Sequence, residues 1–270
     1  MIKVDKTALS CVEIQLQAAA ELRDAVNAIS FSKPVDCVYN PLNYAWDAFA
    51  AYVKRFGAGP KRAVFLGMNP GPWGMAQNGV PFGEVSAVRD WMGLDVPVGR
   101  PEFEHPAYPV RGLDCPRSEV SGKRLWGLFS FRFGSAGNFF TEYFVINYCP
   151  LLFIARPRRD KEGNPVGQGY NLTPDHLKGK DREPLYDACD QHLWTVVRAL
   201  NPRWLIGIGS FAANRAQDVF GESGLKILKI LHPSPASPLS NKDWPGTVTR
   251  QLVETGVWNM KGINDVEVLK

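Results

Sequence analysis

The sequence predicts an α/β fold, a three-layer α/β/α sandwich around a central, mostly parallel four-stranded sheet. Three observations predict it. Short apolar runs alternate with longer amphipathic stretches, the order that lays helices on both faces of a parallel sheet. Each run stops at a segment rich in Gly, Pro or Asn, where turn chemistry ends a strand. The 270 residues, 45% hydrophobic and 21% charged, suffice for one large soluble domain, and no linker composition divides them. A single domain over 1–270 is expected, with residues 1–38 as an N-terminal helical extension packed on it.

Taken in chain order, Leu9 to Ile29 has apolar residues at helical spacing, with Ala18 to Ala20 in the middle. A second helix covers Tyr44 to Arg55 and ends near Gly57. Ala63 to Leu66, Tyr143 to Ile146 and Trp204 to Ile208 read as buried strands, and a fourth, Lys226 to Leu231, ends at His232. Helical patterns cover Glu84 to Met92, Ser121 to Phe131, Glu183 to Leu200, Phe211 to Phe220 and Pro245 to Glu254. The polar stretch Arg156 to Tyr170, which contains Gly and Pro, reads as an exposed loop.

Composition excludes several classes. No apolar stretch reaches the length of about 18 residues that a membrane-spanning helix needs. The polar start Met1 to Asp5 lacks the pattern of a secretory signal, so an intracellular protein is expected. Cys11, Cys37, Cys115, Cys149 and Cys189 are odd in number and form no C-x-x-C pair, which argues against disulfides, zinc and iron–sulfur clusters. A formal charge of +4 suits a polyanionic partner but is also ordinary surface charge.

In open α/β sheets the site lies beyond the carboxyl ends of the strands. Three unusual segments fall there: Gly67-Met68-Asn69-Pro70-Gly71-Pro72, Asn147-Tyr148-Cys149-Pro150, and His232-Pro233-Ser234-Pro235. The first continues to Glu84 as a loop dense in Gly and Pro, whose backbone N–H groups can approach a ligand closely. An elaborate surface loop would have the same composition.

These segments resemble the single-strand-selective monofunctional uracil-DNA glycosylases of the uracil-DNA glycosylase superfamily. The likeness runs through Phe144 to Leu152, Glu84-Val85-Ser86, Arg89-Asp90-Trp91, Cys115-Pro116 and Ser118 to Gly122, from roughly Tyr39 to Gly256. It implies that Asn69 and His232 are catalytic. Asn69 would position the hydrolytic water; an amide orients water but hardly deprotonates it, which suits a dissociative reaction through a cationic sugar. A loop Asn bonding its own backbone is the ordinary alternative. His232, held by the two prolines that follow it, would donate to uracil O2, and donors aimed at developing charge are worth about 3–4 kcal/mol by analogy with oxyanion holes.

The resemblance assigns base binding to Met68, Gly71, Met75, Phe82 and Asn147. Phe82 would stack on the base, and Asn147 would accept from N3–H and donate to O4. Gly71 would leave room at C5 for a water or a hydroxymethyl group, admitting 5-hydroxymethyluracil, whereas a thymine methyl would displace the water without replacing its bonds. The DNA-binding wedge would be Pro233, Ser234, Pro235, Ala236 and Ser237, with Asn241 and Lys242 toward phosphate. Ala236 stands where the family's eukaryotic members have Arg, which puts duplex penetration in doubt. Lys123, Arg124 and Trp126, and above all Arg156, Arg158 and Arg159, are further candidates for the DNA backbone.

No Lys falls within the three motifs, so hydrolysis rather than Schiff-base strand cleavage is expected. The expected protein is a monomer acting on single- or double-stranded DNA, without metal or cofactor. It would work in a bacterial cytoplasm at the nucleoid, or in a nucleus if eukaryotic. Glu84 and Asp90 read as structural acids, and His105, His176 and His192 as surface or capping residues. Deaminated purines as main substrate, a non-catalytic lesion binder and a nucleoside hydrolase remain alternatives.

Overall fold

The computed structural model describes residues 9–259. The start Met1 to Asp5 and the outer ends of the expected 1–270 domain lie outside them. The first helix, α1 (Cys11–Asn27), opens with a capping box in which the Ser10 hydroxyl accepts from the Glu13 N–H while the Glu13 carboxylate accepts from the Ser10 N–H. It packs along α7 (Gly179–Leu200). The segment 1–38 expected to be helical also contributes a strand, β1 (Val35–Tyr39). Two helices follow, α2 (Pro41–Tyr44) and α3 (Trp46–Phe56).

The central sheet joins β2 (Ala63–Gly67), β3 (Tyr143–Asn147), β8 (Trp204–Ile208) and β9 (Lys226–Ile230) in the order β3-β2-β8-β9, every pair parallel. Every residue of β2, β3 and β8 is buried, the mark of strands covered on both faces. Side chains alternate between those faces. Phe65 meets Phe129 of α5 (Val120–Phe133) and Phe139 of α6 (Ala136–Glu142). Gly207, paired with Leu66 one position on, lies so close to α8 (Ser210–Phe220) that a Cβ would sit 2.3 Å from the Ala213 nitrogen. α5 and α6, joined by α9 (Ser240–Glu254), therefore cover one face, and α1, α7 and α8 the other. The sandwich expected from sequence is the architecture found.

Four features differ from expectation. A second sheet, antiparallel, joins β1, β4 (Leu152–Ala155) and β7 (Tyr170–Leu172) in the order β1-β4-β7. The Arg156 to Tyr170 stretch is largely exposed but holds a short hairpin of β5 (Arg158–Arg159) and β6 (Pro165–Val166). The Glu84 to Met92 helix reduces to a π-helical turn at Ala87–Trp91, begun by the Glu84 carboxylate accepting from Ser86 and from the Ala87 N–H. The short helices α4 (Met75–Asn78) and α6 carry no strong sequence signal. The five cysteines are free thiols.

Candidate active site

The carboxyl ends of β2, β3 and β9 lead into one cavity of about 420 Å³, lined by Met68, Asn69, Gly71, Met75, Phe82, Asn147, His232 and Ser234. Residues far apart in sequence are brought together by strand register. Gly67 pairs with Asn147, and the ladder runs on through Tyr148 N–H to Gly67 O and Cys149 N–H to Met68 O, 3.0 and 2.9 Å. A wider groove of about 640 Å³ beside α1 and β1 holds none of the expected site residues.

Asn147 is buried at the end of β3. Its Nδ2 lies 3.4 Å from the Met75 sulfur, and its Oδ1 has no hydrogen-bond partner among the described residues. A buried acceptor without a donor costs about 1–3 kcal/mol, so this atom marks a place for a ligand N–H. The ring of Phe82 stands beside it. A Cβ on Gly67 would fall 2.3 Å from Asn147 Oδ1 and 2.5 Å from the Phe82 ring, so only glycine fits there.

Phe82 has φ +54°, a left-handed conformation that costs a side-chain-bearing residue about 1–2 kcal/mol. The neighbourhood imposes it. Phe82 O accepts from Trp126 Nε1 at 3.0 Å and from the Glu84 N–H at 2.7 Å. Asn78, buried, accepts from the Val80 N–H and donates to Gly83 O. Gly122 lets α5 come so close that a Cβ would lie 2.0 Å from Phe82 O.

Asn69 donates through Nδ2 to Leu151 O at 3.0 Å, which leaves Oδ1 as an acceptor on a cavity-lining side chain. His232 Nδ1 accepts from the Ser234 N–H at 3.0 Å, so the ring proton sits on Nε2 and the imidazole is a donor on its other side. Burial pushes its pKa down to about 4, keeping the ring neutral at physiological pH. Gly209, at φ +86°, backs the ring; a Cβ would lie 3.1 Å from the His232 Cβ.

The loop after His232 is braced on three sides. Ser240 Oγ donates to His232 O, and Trp244 Nε1 to Leu231 O at 2.8 Å. Arg124 donates to Pro233 O and to Asn241 Oδ1, 3.0 and 2.9 Å, and Asn241 Nδ2 donates to Pro235 O. Both ends of the Asn241 amide and the Arg124 guanidinium are thus engaged within the loop. Ala236 donates its N–H to Ser234 Oγ, and the Ser237 N–H bonds Ser234 O. Pro235, Ala236 and Lys242 are exposed.

The sequence profile of the uracil DNA glycosylase superfamily matches residues 54–251. This chain belongs to the uracil-DNA glycosylase superfamily. The single-strand selective monofunctional uracil DNA glycosylase of Bos taurus is 45% identical over 250 residues, 92% of this chain and 88% of that protein. Those of Mus musculus and Rattus norvegicus are 44% and 43% identical over 92% and 94% of this chain, covering 86% and 88% of theirs. The crystal structure of Pedobacter heparinus SMUG2 shares the fold with a TM-score of 0.60 at 14% identity, covering 89% of this chain and 97% of that one.

In this superfamily member, four polar residues line the cavity that sequence reasoning passed over: Glu119, Ser121, Asn171 and Thr173. Glu119 lies in the Ser118 to Gly122 stretch that carries the resemblance, and an acid before an apolar run is a signal for a helix cap; its Oε1 does accept from the Ser121 N–H at 3.1 Å. Asn171 and Thr173 come from β7 and the turn after it, which carried no signal. Arg156, expected at DNA, pairs with Asp36 at 2.8 Å; the side chains of Arg158 and Arg159 lie outside the described set. His192 corrects its expectation: it lines a small interior hollow beside Tyr52 and Asn147, and burial pushes its pKa down to about 4. Asp90 pairs with its exposed neighbour Arg89. No group of three or more His, Cys, Asp or Glu among the described residues is placed to hold a metal ion.

Proposed function

We propose that this protein is a monofunctional uracil-DNA glycosylase of DNA repair, acting on uracil and 5-hydroxymethyluracil in single- and double-stranded DNA and leaving an abasic site. The observation that carries the reading is the unpartnered Asn147 Oδ1, with Nδ2 of the same amide beside it and the Phe82 ring alongside. One planar amide presents an acceptor and a donor, which match N3–H and O4 of uracil. Cytosine offers an acceptor at N3 and a donor at C4, and meets the same amide in the wrong order.

In the proposed reaction the flipped base stacks on Phe82, extrusion costing a few kcal/mol and least from single strands. His232 Nε2–H donates to O2 as the C1′–N1 bond breaks and its electron pair passes into the uracil ring. Water held by Asn69 Oδ1 adds to the cationic C1′, releases a proton to solvent and completes the abasic sugar. Among the described residues lining the cavity there is no lysine, which supports hydrolysis over Schiff-base chemistry.

For DNA, Leu239 joins the expected segment. It is apolar, 64% exposed and carried on the braced loop after His232, as befits a side chain inserted where the base has left. With Asn241 and Arg124 engaged in the loop, Lys242 is the residue left for phosphate. The protein is proposed to act as a monomer, in the nucleoid of a bacterium or the nucleus of a eukaryote; none of its described helices is long and apolar enough to cross a membrane. Oligonucleotides carrying one uracil, 5-hydroxymethyluracil, cytosine, thymine or xanthine, incubated in EDTA, test the substrate range. Uracil and 5-hydroxymethyluracil are expected to be excised and cytosine left intact. Excision of xanthine alone would overturn this reading in favour of a deaminated-purine enzyme.

A further inference from the structure

The cavity wall contains a carboxylate, Glu119, for which the hydrolysis above has no use. Oε1 caps α5, yet a cap needs one oxygen, and the shorter Ser, Thr, Asp and Asn are the usual choices. The other oxygen, Oε2, reaches across to the Gly71–Gly74 turn. A Cβ on Gly71 would meet it at 3.0 Å, and one on Gly74 at 3.4 Å. Burial raises the pKa of this carboxyl, a strain that a hydrogen-bond donor brought to it would relieve.

The geometry of Asn147 says which edge of a bound base faces this wall. Its Nδ2 is on the Met75 side and its Oδ1 is the unpaired atom. A pyrimidine dione that gives N3–H to Oδ1 and takes Nδ2–H at O4 turns O4 toward Met75. C5, bonded to C4, then lies on that same side. Met75 directly follows Gly74, against which Glu119 Cγ packs, 3.0 Å from a Cβ placed there.

We propose that Glu119 determines specificity at C5, its Oε2 accepting a hydrogen bond from a hydroxyl carried on that carbon, as in 5-hydroxymethyluracil. The inference rests on the glycosylase reading above. A carboxylate rewards a hydroxyl and gains nothing from a methyl, which would only strip it of water. One residue thereby favours 5-hydroxymethyluracil and disfavours thymine, while bare uracil leaves space for a water.

Glu119→Ser is the discriminating variant: serine keeps the helix cap but is too short to reach the turn. Single-turnover excision of uracil and 5-hydroxymethyluracil from otherwise identical oligonucleotides, with melting temperature as a folding check, gives the ratio of their kcat/KM values. The expected result is a fall of about tenfold or more in the 5-hydroxymethyluracil-to-uracil ratio, the loss of one charge-assisted hydrogen bond. Glu119→Gln, which retains size and a weaker partner, should fall between Glu119→Ser and the wild type. A ratio unchanged in both variants, whatever loss the two bases share, is the behaviour of a mere helix cap and overturns the proposal. So does a wild type that excises uracil but not 5-hydroxymethyluracil. A wild type that excises neither base sinks the glycosylase reading itself, and this inference with it.

Discussion

The central parallel sheet and the outer antiparallel sheet border the same cavity, but they bring different things to it. β2, β3 and β9 run into Asn69, Asn147 and His232, each held by the strand ladder or by bonds from neighbouring backbone. β7 of the outer sheet brings Asn171 and Thr173 to the wall; Asn171 is exposed, and the Thr173 hydroxyl donates to Asp175 at 2.6 Å. The buried strands β2 and β3, with the bonds that brace the loop after β9, hold their atoms in fixed places, whereas a three-residue strand beside a solvent-facing hairpin forms a border. The proposed reacting groups belong to the first sheet, and the second shapes the mouth.

The largest expected effects lie on the central sheet. His232→Ala should lower single-turnover excision of uracil about 10²–10³-fold, the usual cost of one donor aimed at developing charge. Next comes Gly67→Ala, whose added methyl overlaps Asn147 Oδ1 and the Phe82 ring. A misplacement near 1 Å costs about 10²-fold in rate, with a stability loss of about 1–3 kcal/mol from overpacking, read from denaturant midpoints. Leu239→Ala should lower excision from duplex several-fold more than from single strands; an equal fall on both would remove Leu239 from base extrusion. Asn171→Ala, on the outer sheet, should cost less than about tenfold, its side chain being exposed and outside the reacting set. A loss as large as that of His232→Ala would erase the contrast between the sheets.

Acidity tests the central-sheet site further. In the proposed reaction His232 acts as a neutral donor, and burial lowers its pKa to about 4. The kcat/KM for uracil should therefore hold as pH falls through 6.5 and decline only near 4; a decline centred near 6.5 would mean that the ring is solvated like a free histidine. Stability follows the same sign. An unfolded histidine titrates near 6.5, so between about 6.5 and 4 the unfolded chain binds more protons, and stability is lost as pH falls through that window. His192, also lowered to about 4, adds to the loss.

Much of this was legible in the sequence, for physical reasons that also mark its limits. β2, β3 and β8 are apolar throughout because both of their faces are covered, so AVFLG, YFVIN and WLIGI stand out as runs. β4 is just as apolar, but it sits five residues after β3 and pairs with β1 more than a hundred residues earlier, a partnership no local pattern carries. β7 spans Tyr170–Leu172, too short for alternation to show. In the site, Asn69, Asn147 and His232 were readable as polar residues closing strands within a recognised constellation. Phe82 was nameable, but its aim depends on a positive φ enforced by Trp126, Asn78 and Gly122, contacts made only in the fold. Glu119 was in plain view as an acid at a helix start; nothing local says that its second oxygen turns to Gly71.

One measurement bears most directly on the central claim, that the three strand-end loops form a uracil-hydrolysing site. An end-labelled oligonucleotide with a single uracil is incubated with wild type, Asn69→Ala and His232→Ala, and each product is split between direct electrophoresis and prior heating in alkali. The account predicts strand cleavage by the wild type only after alkali, with both variants slowed about 10²-fold or more. Cleavage without alkali, or variants as fast as the wild type, would contradict it.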